Sequence, residues 1–297
     1  MRLIMFLSAN SRLSYAELAE KLNLSVNAIH KRIQLLIETQ VICKFTAKVS
    51  LLSANAIIVF VYGISQLGSF QELPEKMKAH GSIYWLAEGG GKFLYIGATL
   101  KSISELPDLI SYVKKEAGLP EPKVGIMATA NSLIIPELKP SELALCDLDY
   151  KIIQSLKDNS RKAISDVALE IGISAKTVRR RLNRMIKNNL IELGLEWYPD
   201  KSNDIMTLMD VHFKPEAEIG IVPFQILRKH APNTMFYWTF ANIPNTAVFT
   251  IWTNSMNELQ SLRESIEQEP QVESVIPNIL YKGYIFNTWR DHVGEKP

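Results

Sequence analysis

The residues best suited to chemistry in this sequence are the arginines and lysines of one short stretch, SAKTVRRRLNRMIKNN at positions 174–189. If the stretch is a helix, residues three and four apart share a face. One face would then carry Lys176, Arg180, Arg184 and Lys187, and the opposite face Val178, Leu182, Met185 and Ile186. An apolar face on a small core and a basic face toward a polyanion are typical of a nucleic-acid-binding helix.

The charge around this helix favours the same interpretation. Residues 150–191 hold ten Lys and Arg against three Asp and Glu, a net charge of +7, whereas the whole chain of 297 residues carries +2. Positive charge is therefore concentrated where a phosphate backbone would lie. A merely solvated basic face is the alternative, since most charged helix faces are of that kind.

The neighbouring residues supply the elements that would position the basic helix. Ser174 is suited to cap its first turn, and ISDVALEIGI, just before it, is a short amphipathic segment with Gly172 at the turn. A helix, a glycine turn and a basic helix form the helix-turn-helix pattern, in which the second helix enters the major groove. We therefore predict double-stranded DNA as the partner.

Composition sets the limits of other functions. A chain of 297 residues with 47% hydrophobic content can form two or more domains with real cores. Cys43 and Cys146 show neither metal-type spacing nor a disulfide framework, which indicates a reducing cytoplasm. The five histidines are scattered, so we predict no metal, no cofactor and no catalytic residue. No stretch is long and apolar enough to span a bilayer, and no membrane partner is predicted.

The sequence repeats itself. Shifted by 149 positions, residues 1–42 align without a gap with residues 150–191 and are identical at ten positions, so a first helix-turn-helix is expected at the start of the chain. The third helix of this copy has an apolar row on one face. The opposite face is nearly neutral and carries Asn27, Lys31, Gln34, Leu35 and Glu38. This copy should bind DNA weakly by itself. It either assists at a half-site or serves only in packing.

The later part of each half also repeats, at an offset of 153. Hydrophobic patterning predicts the order strand, helix, strand, strand, helix, strand in each half, which is the ferredoxin-like order. The expected strands are 56–62, 83–87, 93–98 and 124–129, then 206–213, 235–240, 247–252 and 272–276. The fold class is thus α+β, with two tandem copies of a winged helix-turn-helix domain followed by a ferredoxin-like (βαββαβ) domain.

We expect five segments along the chain. They are helix-turn-helix domain 1 at 1–50, ferredoxin-like domain 1 at 51–135, a linker at 136–148, helix-turn-helix domain 2 at 149–202 and ferredoxin-like domain 2 at 203–297. The linker is suggested by the proline-flanked polar run PELKP.

This plan resembles the Lrp/AsnC family of feast/famine transcription regulators. The likeness is carried by RLSYAELAEKLNLSVNAIHKRIQLLIETQVI in copy one and by the run from CDLDYKIIQSL through ISAKTVRRRLNRMIKNNLIELG, then YPDK, in copy two. Family members usually hold one such unit and pair through their sheets. The resemblance therefore implies a dimer made within one chain, which can associate further into a homo-oligomer.

The resemblance also implies roles for individual residues. Thr177, Arg179, Arg180 and Arg184 would lie on the groove side, and Arg181, with Arg32, would reach phosphate or brace the helix. With Lys176 and Lys31 from the basic rows, the predicted DNA-binding set is Lys176, Thr177, Arg179, Arg180, Arg181, Arg184, Lys31 and Arg32.

Two further expectations concern small molecules. Family members bind amino acids at glycine-bearing loops, which makes Gly89, Gly90 and Gly91 a candidate effector site; a simple hairpin turn is the alternative. The chain also looks like the siroheme decarboxylases, enzymes built on the same two-domain unit. Their histidine-rich and arginine-rich segments are not apparent in this sequence, so we expect a regulator rather than an enzyme.

Overall fold

The computed structural model describes residues 1–132, 143–202 and 204–294. These residues form two compact units. A helical unit contains residues 2–56, the described part of 137–198, and residues from 287 onward, whereas a barrel unit contains residues from 57 to 132 and from 199 to 286. The proline-flanked run expected as a linker, residues 136–140, lies outside the described residues.

The elements follow the same order in both halves of the chain. The first half contains α1 (Arg2–Ala9), α2 (Tyr15–Leu22), α3 (Val26–Glu38), β1 (Ile42–Val49), β2 (Ile57–Ile64), α4 (Leu73–Ala79), β3 (Ile83–Gly89), β4 (Phe93–Leu100), α5 (Leu106–Glu116) and β5 (Lys123–Ser132). The second contains α6 (Asp147–Leu156), α7 (Ile164–Ile171), α8 (Ala175–Lys187), β6 (Ile191–Trp197), β7 (Ile205–Phe213), α9 (Val222–Lys229), β8 (Thr234–Phe240), β9 (Thr246–Thr253), α10 (Met256–Glu267) and β10 (Val272–Ile285). The predicted α+β fold class is confirmed.

The helical unit consists of two three-helix domains, each followed by one strand. α2 begins with a capping box, in which the Ser14 hydroxyl accepts from the Glu17 amide and the Glu17 carboxylate accepts from the Ser14 amide. α7 ends at Gly172, whose φ of +71° is the left-handed conformation that terminates a helix without strain in glycine. Asn23, with a φ of +53°, takes the same left-handed conformation after α2.

β1 and β6 pair with each other as a two-stranded antiparallel sheet, from Ile42 opposite Trp197 to Val49 opposite Ile191. Each domain therefore completes its wing with a strand from the other domain. Because such pairing joins residues about 150 positions apart, no local pattern in the sequence predicts it.

The barrel unit contains both ferredoxin-like domains as one closed eight-stranded barrel, in the order β10, β3, β4, β2, β5, β8, β9, β7. β5 pairs with β2 over its first residues and then with β8. β10 likewise pairs with β7 and then with β3. The two strands are longer than the predicted 124–129 and 272–276 because their second parts belong to the other domain's sheet.

This pairing gives the barrel unit separate cores. One core lies between each sheet and its two helices, with Met77 and Ile226 among the fully or nearly fully buried residues. A third, aromatic core lies in the barrel interior. No helix in the described part of the chain is long and apolar enough to cross a membrane.

Candidate nucleic-acid interface

The basic helix forms as its sequence predicts. The Ser174 hydroxyl accepts a hydrogen bond from the Thr177 amide at 3.1 Å and lies 2.9 Å from the Thr177 hydroxyl, which caps the start of α8. Val178, Leu182 and Met185 are buried and hold the helix on the small core of its domain. The apolar row is narrower than expected, since Ile186, at its edge, is 36% exposed.

Four basic side chains of α8 are exposed: Lys176, Arg179, Arg180 and Lys187. Among the described residues none of the four forms an ion pair with an acidic side chain. Their charges are therefore available to a phosphate backbone or to base edges. No ion pair within the described residues would have to be broken for them to bind DNA.

Arg181 points away from this set and holds the helix in its domain. Its guanidinium donates to Asp149 Oδ1 at 3.1 Å, and Asp149 is fully buried at the start of α6. Burial alone would raise the pKa of Asp149, but hydrogen bonds from Cys146 and Arg181 outweigh it and lower the pKa. Of the two roles anticipated for Arg181, this geometry is that of a brace.

Arg184 is neither fully exposed, like the four basic residues above, nor a brace on buried Asp149 as Arg181 is. Its guanidinium donates to the Ala144 carbonyl at 2.8 Å and lies 3.7 Å from Asp149 Oδ2, with about a third of the side chain exposed. Contact with DNA would require it to exchange or share these partners. Its predicted place in the DNA-binding set stays a prediction.

In the first copy, Lys31 and Arg32 are exposed on α3. Arg32 corresponds to Arg181 in the repeat, yet no acidic partner of Arg32 is present in the described part of the chain, so its guanidinium is available to an anion. His30, on the same helix, packs edge-on against Tyr15 with ring centroids 5.3 Å apart. α3 therefore presents two cations where α8 presents four.

A reciprocal contact joins the two helix-turn-helix domains, and the sequence patterns did not reveal it. Arg161 donates to the carbonyls of Ser11 and Leu13 at 2.6 and 3.0 Å, and Arg12 donates to those of Ser160 and Lys162. The hydroxyls of Ser11 and Ser160 lie 2.5 Å apart between them. The sequence does contain one sign of this contact: the run Asn-Ser-Arg occurs at both 10–12 and 159–161. The arginine of each run donates to backbone carbonyls of the other domain.

A second contact fixes the β1 and β6 sheet from the end of the chain. Arg290, only 9% exposed, donates to Glu192 Oε2 at 2.6 Å and to the Val49 carbonyl at 2.5 Å. Together with the arginine pair, this contact holds α3 and α8 within one compact unit.

The glycines predicted as an effector loop have a structural reason of their own. Gly90 donates to Asn278 Oδ1 at 3.0 Å, and a Cβ on Gly89 would meet that oxygen at 2.3 Å. Gly91 has a φ of +63°. The turn is thus held by a side chain of β10, and an effector at this place stays a prediction.

Metal-binding chemistry is not apparent in residues 1–132, 143–202 and 204–294, where no three His, Cys, Asp or Glu side chains are grouped to hold an ion. Within the described residues, neither Cys43 nor Cys146 forms a disulfide.

Comparison with known proteins agrees with this arrangement. The family model for winged helix-turn-helix DNA-binding domains matches residues 2–42 and 147–192. None of the curated proteins matches the chain.

Solved structures match the fold at low sequence identity. The siroheme decarboxylase NirDL is similar over 96% of this chain and 92% of its own, with 12% identity and a TM-score of 0.59. Its complex with an iron-uroporphyrin III analogue gives 13% identity, 92% and 87% coverage and a TM-score of 0.58. AsnC of E. coli matches 49% of this chain and 98% of its own, with 18% identity and a TM-score of 0.41.

The chain therefore contains two winged helix-turn-helix segments, each followed by a domain with the order strand, helix, strand, strand, helix, strand.

Proposed function

We propose that the protein is a sequence-specific DNA-binding transcription regulator of Lrp/AsnC type. One chain of it contains the two helix-turn-helix domains that a dimer would otherwise supply. The observation that carries the proposal is a group of four exposed basic residues on the third helix of a winged helix-turn-helix domain, none of which forms an ion pair within the described residues: Lys176, Arg179, Arg180 and Lys187. Such a helix is placed to enter the major groove. On this proposal the chain acts by binding and not by catalysis.

The two copies contribute unequally. α8 supplies most of the electrostatic free energy of binding, because each neutralised phosphate releases counterions. α3 contributes Lys31 and Arg32 at a second half-site. We also propose that the chain arose by duplication of one two-domain unit, which accounts for the repeated order of its elements.

The direct test is fluorescence anisotropy on duplex DNA from the gene's own upstream region and on scrambled duplex, across a salt series. A regulator should bind the native duplex more tightly, with affinity falling steeply as salt rises. The slope of log affinity against log salt counts the phosphates, at about 0.9 per contact. Equal affinity for both duplexes, or no binding at low salt, would contradict the proposal.

Arg180→Ala is the sharpest single substitution. If Arg180 reads a base, binding should weaken by about 1–3 kcal/mol with relaxed preference at one position; if it meets phosphate, all sequences weaken alike and the salt slope falls by about 1. Arg228→Ala is the matched control, because Arg228 is also exposed on a helix but lies in the barrel unit. Equal effects of the two substitutions would show that only net charge matters.

A siroheme decarboxylase-like enzyme is the second candidate, supported by the likeness of fold over 96% of this chain. At 12% identity that likeness concerns the fold alone. The two candidates separate in one measurement. A tetrapyrrole-binding protein should show a visible absorption band as purified from cells, or should keep one when it is mixed with an iron porphyrin and the unbound porphyrin is removed by gel filtration; a regulator of the proposed kind should show neither.

A further inference from the structure

The interior of the barrel is lined by aromatic side chains from both domains. Phe60 and Trp238 stack with their centroids 5.0 Å apart, and Tyr62 and Tyr95 stack at 5.7 Å. All four are buried in the same core. An eight-stranded barrel has an interior just wide enough to be filled by side chains or to hold one small ligand.

One carboxylate lies among these rings. On β7, Met209 and Val211 face the helices, whereas Leu208 faces the barrel interior. Side chains alternate along a strand, so Asp210 shares the interior face with Leu208. Asp210 is 8% exposed, and its Oδ1 has no hydrogen-bond partner within the described ranges.

No cationic side chain in the described part of the chain forms an ion pair with Asp210, and Lys123 is the one whose charge acts on it from a distance. Burial raises its pKa to about 6, an effect that Lys123 opposes only in part. Lys123 is itself exposed and forms no ion pair with Asp210 in the described structure. The hydroxyl of Thr250, 2% exposed on the neighbouring strand, is likewise without a described partner.

The two tyrosines cannot neutralise the carboxylate either. Burial, with the nearby Asp210 charge, raises the pKa of Tyr62 and of Tyr95 above the ordinary value, so both remain phenols. They contribute hydroxyl groups and ring faces to the interior, and no positive charge.

A buried carboxylate with an unpartnered oxygen is costly when it is ionised, and a bound cation would offset that cost. Aromatic faces attract the same kind of group, and a carboxylate combined with several rings is the usual chemistry for binding organic ammonium ions. We propose that the barrel interior is a binding site for a small organic ammonium ion, with Asp210 as its counter-ion and Phe60, Tyr62, Tyr95 and Trp238 as its walls. The site stands apart from DNA binding, since it is built from the barrel unit alone.

The test uses the full-length protein at pH 8 and constant ionic strength, with n-butylammonium and tetramethylammonium chlorides as probes. Binding is followed by isothermal titration calorimetry and by tryptophan fluorescence, to which Trp238 in the interior contributes. We expect saturable binding of at least one ammonium ion. 1-Butanol and sodium butyrate, neutral and anionic compounds of similar size, should bind far more weakly or not at all.

Two variants locate the site. Asp210→Asn should weaken ammonium binding about thirtyfold or more, as expected when one partner of a buried charge pair is removed. Glu121→Gln, a change of the same charge at an exposed loop residue of the same unit, should leave it unaltered. Circular dichroism checks that both variants fold.

Three results would overturn the proposal: no binding of either ammonium ion to the unmodified protein in the millimolar range, equal binding of 1-butanol, or undiminished binding by folded Asp210→Asn. The first two do not depend on any variant, so the test holds even if Asp210→Asn does not fold.

Discussion

Replacing Asp210 with Asn should stabilise the protein at neutral and alkaline pH. The pKa of Asp210 is about 6 in the folded chain against an ordinary value of 3.8. A raised pKa means that the folded state binds this proton more tightly than the unfolded state does. The corresponding stability is fully present below about pH 4 and is lost as pH rises through about 6.

The size of the effect follows from the two pKa values. A separation of about two pH units, at 1.36 kcal/mol for each, corresponds to about 3 kcal/mol lost by the unmodified protein at pH 8. Asn is neutral throughout, so the stability of Asp210→Asn relative to the unmodified chain should rise by about 3 kcal/mol between pH 4 and pH 8. With a urea m value of about 2 kcal/mol/M, the midpoint difference grows by about 1.5 M.

Urea unfolding at pH 4, 6 and 8, followed by tryptophan fluorescence, measures this difference. The other titratable groups near Asp210 are Tyr62 and Tyr95 on β2 and β4, Lys123 on β5 and His212 on its own strand. These groups are present in both proteins, so their contributions to the difference in unfolding free energy cancel to first order. Glu121→Gln should give a difference that does not change with pH. A flat difference for Asp210→Asn, or one that grows toward low pH, would refute the reasoning.

Two further predictions concern the contact of Arg181 with Asp149 and the contact of the Gly89 turn with Asn278. Arg181→Ala should destabilise the protein by about 1.5–3 kcal/mol in thermal unfolding, because it removes the nearer of the two guanidinium groups beside the fully buried Asp149 and leaves Arg184 at 3.7 Å. Asp149→Asn in the same background should recover part of the loss, and full stability of Arg181→Ala would exclude the bracing role. Gly89→Ala should cost about 1–3 kcal/mol by overpacking against Asn278. Asn278→Ala should relieve that clash, and a double variant no more stable than Gly89→Ala would show that strain elsewhere in the turn is responsible.

Periodicity in the sequence was sufficient for the helices and their buried faces. Val178 and Leu182 are buried as their spacing predicts, and the exposure of Arg180 follows from the same register. Periodicity is a local property, however. It does not distinguish Arg180 from Arg181, because the acidic partner of Arg181 lies 32 residues away along the chain.

The joining of the two halves was beyond prediction for the same reason. The pairing of β1 with β6 and of β5 with β8 connects distant residues, and each strand reads as an ordinary short strand by itself. Asp210 is the clearest case of a position that could not be predicted from the sequence. Both faces of β7 are buried, so alternation cannot show from the sequence which face meets the helices and which the barrel interior.

The reciprocal arginine contact between the helix-turn-helix domains has a consequence for how a DNA target can evolve. In a homodimer, every substitution in a reading helix appears twice, and the two halves of the target must change together. In the proposed regulator, one polypeptide supplies α3 and α8 in a one-to-one ratio, and Arg12 and Arg161 hold their two domains together. The two helices of such a regulator can diverge independently, and its target is free to have unequal halves.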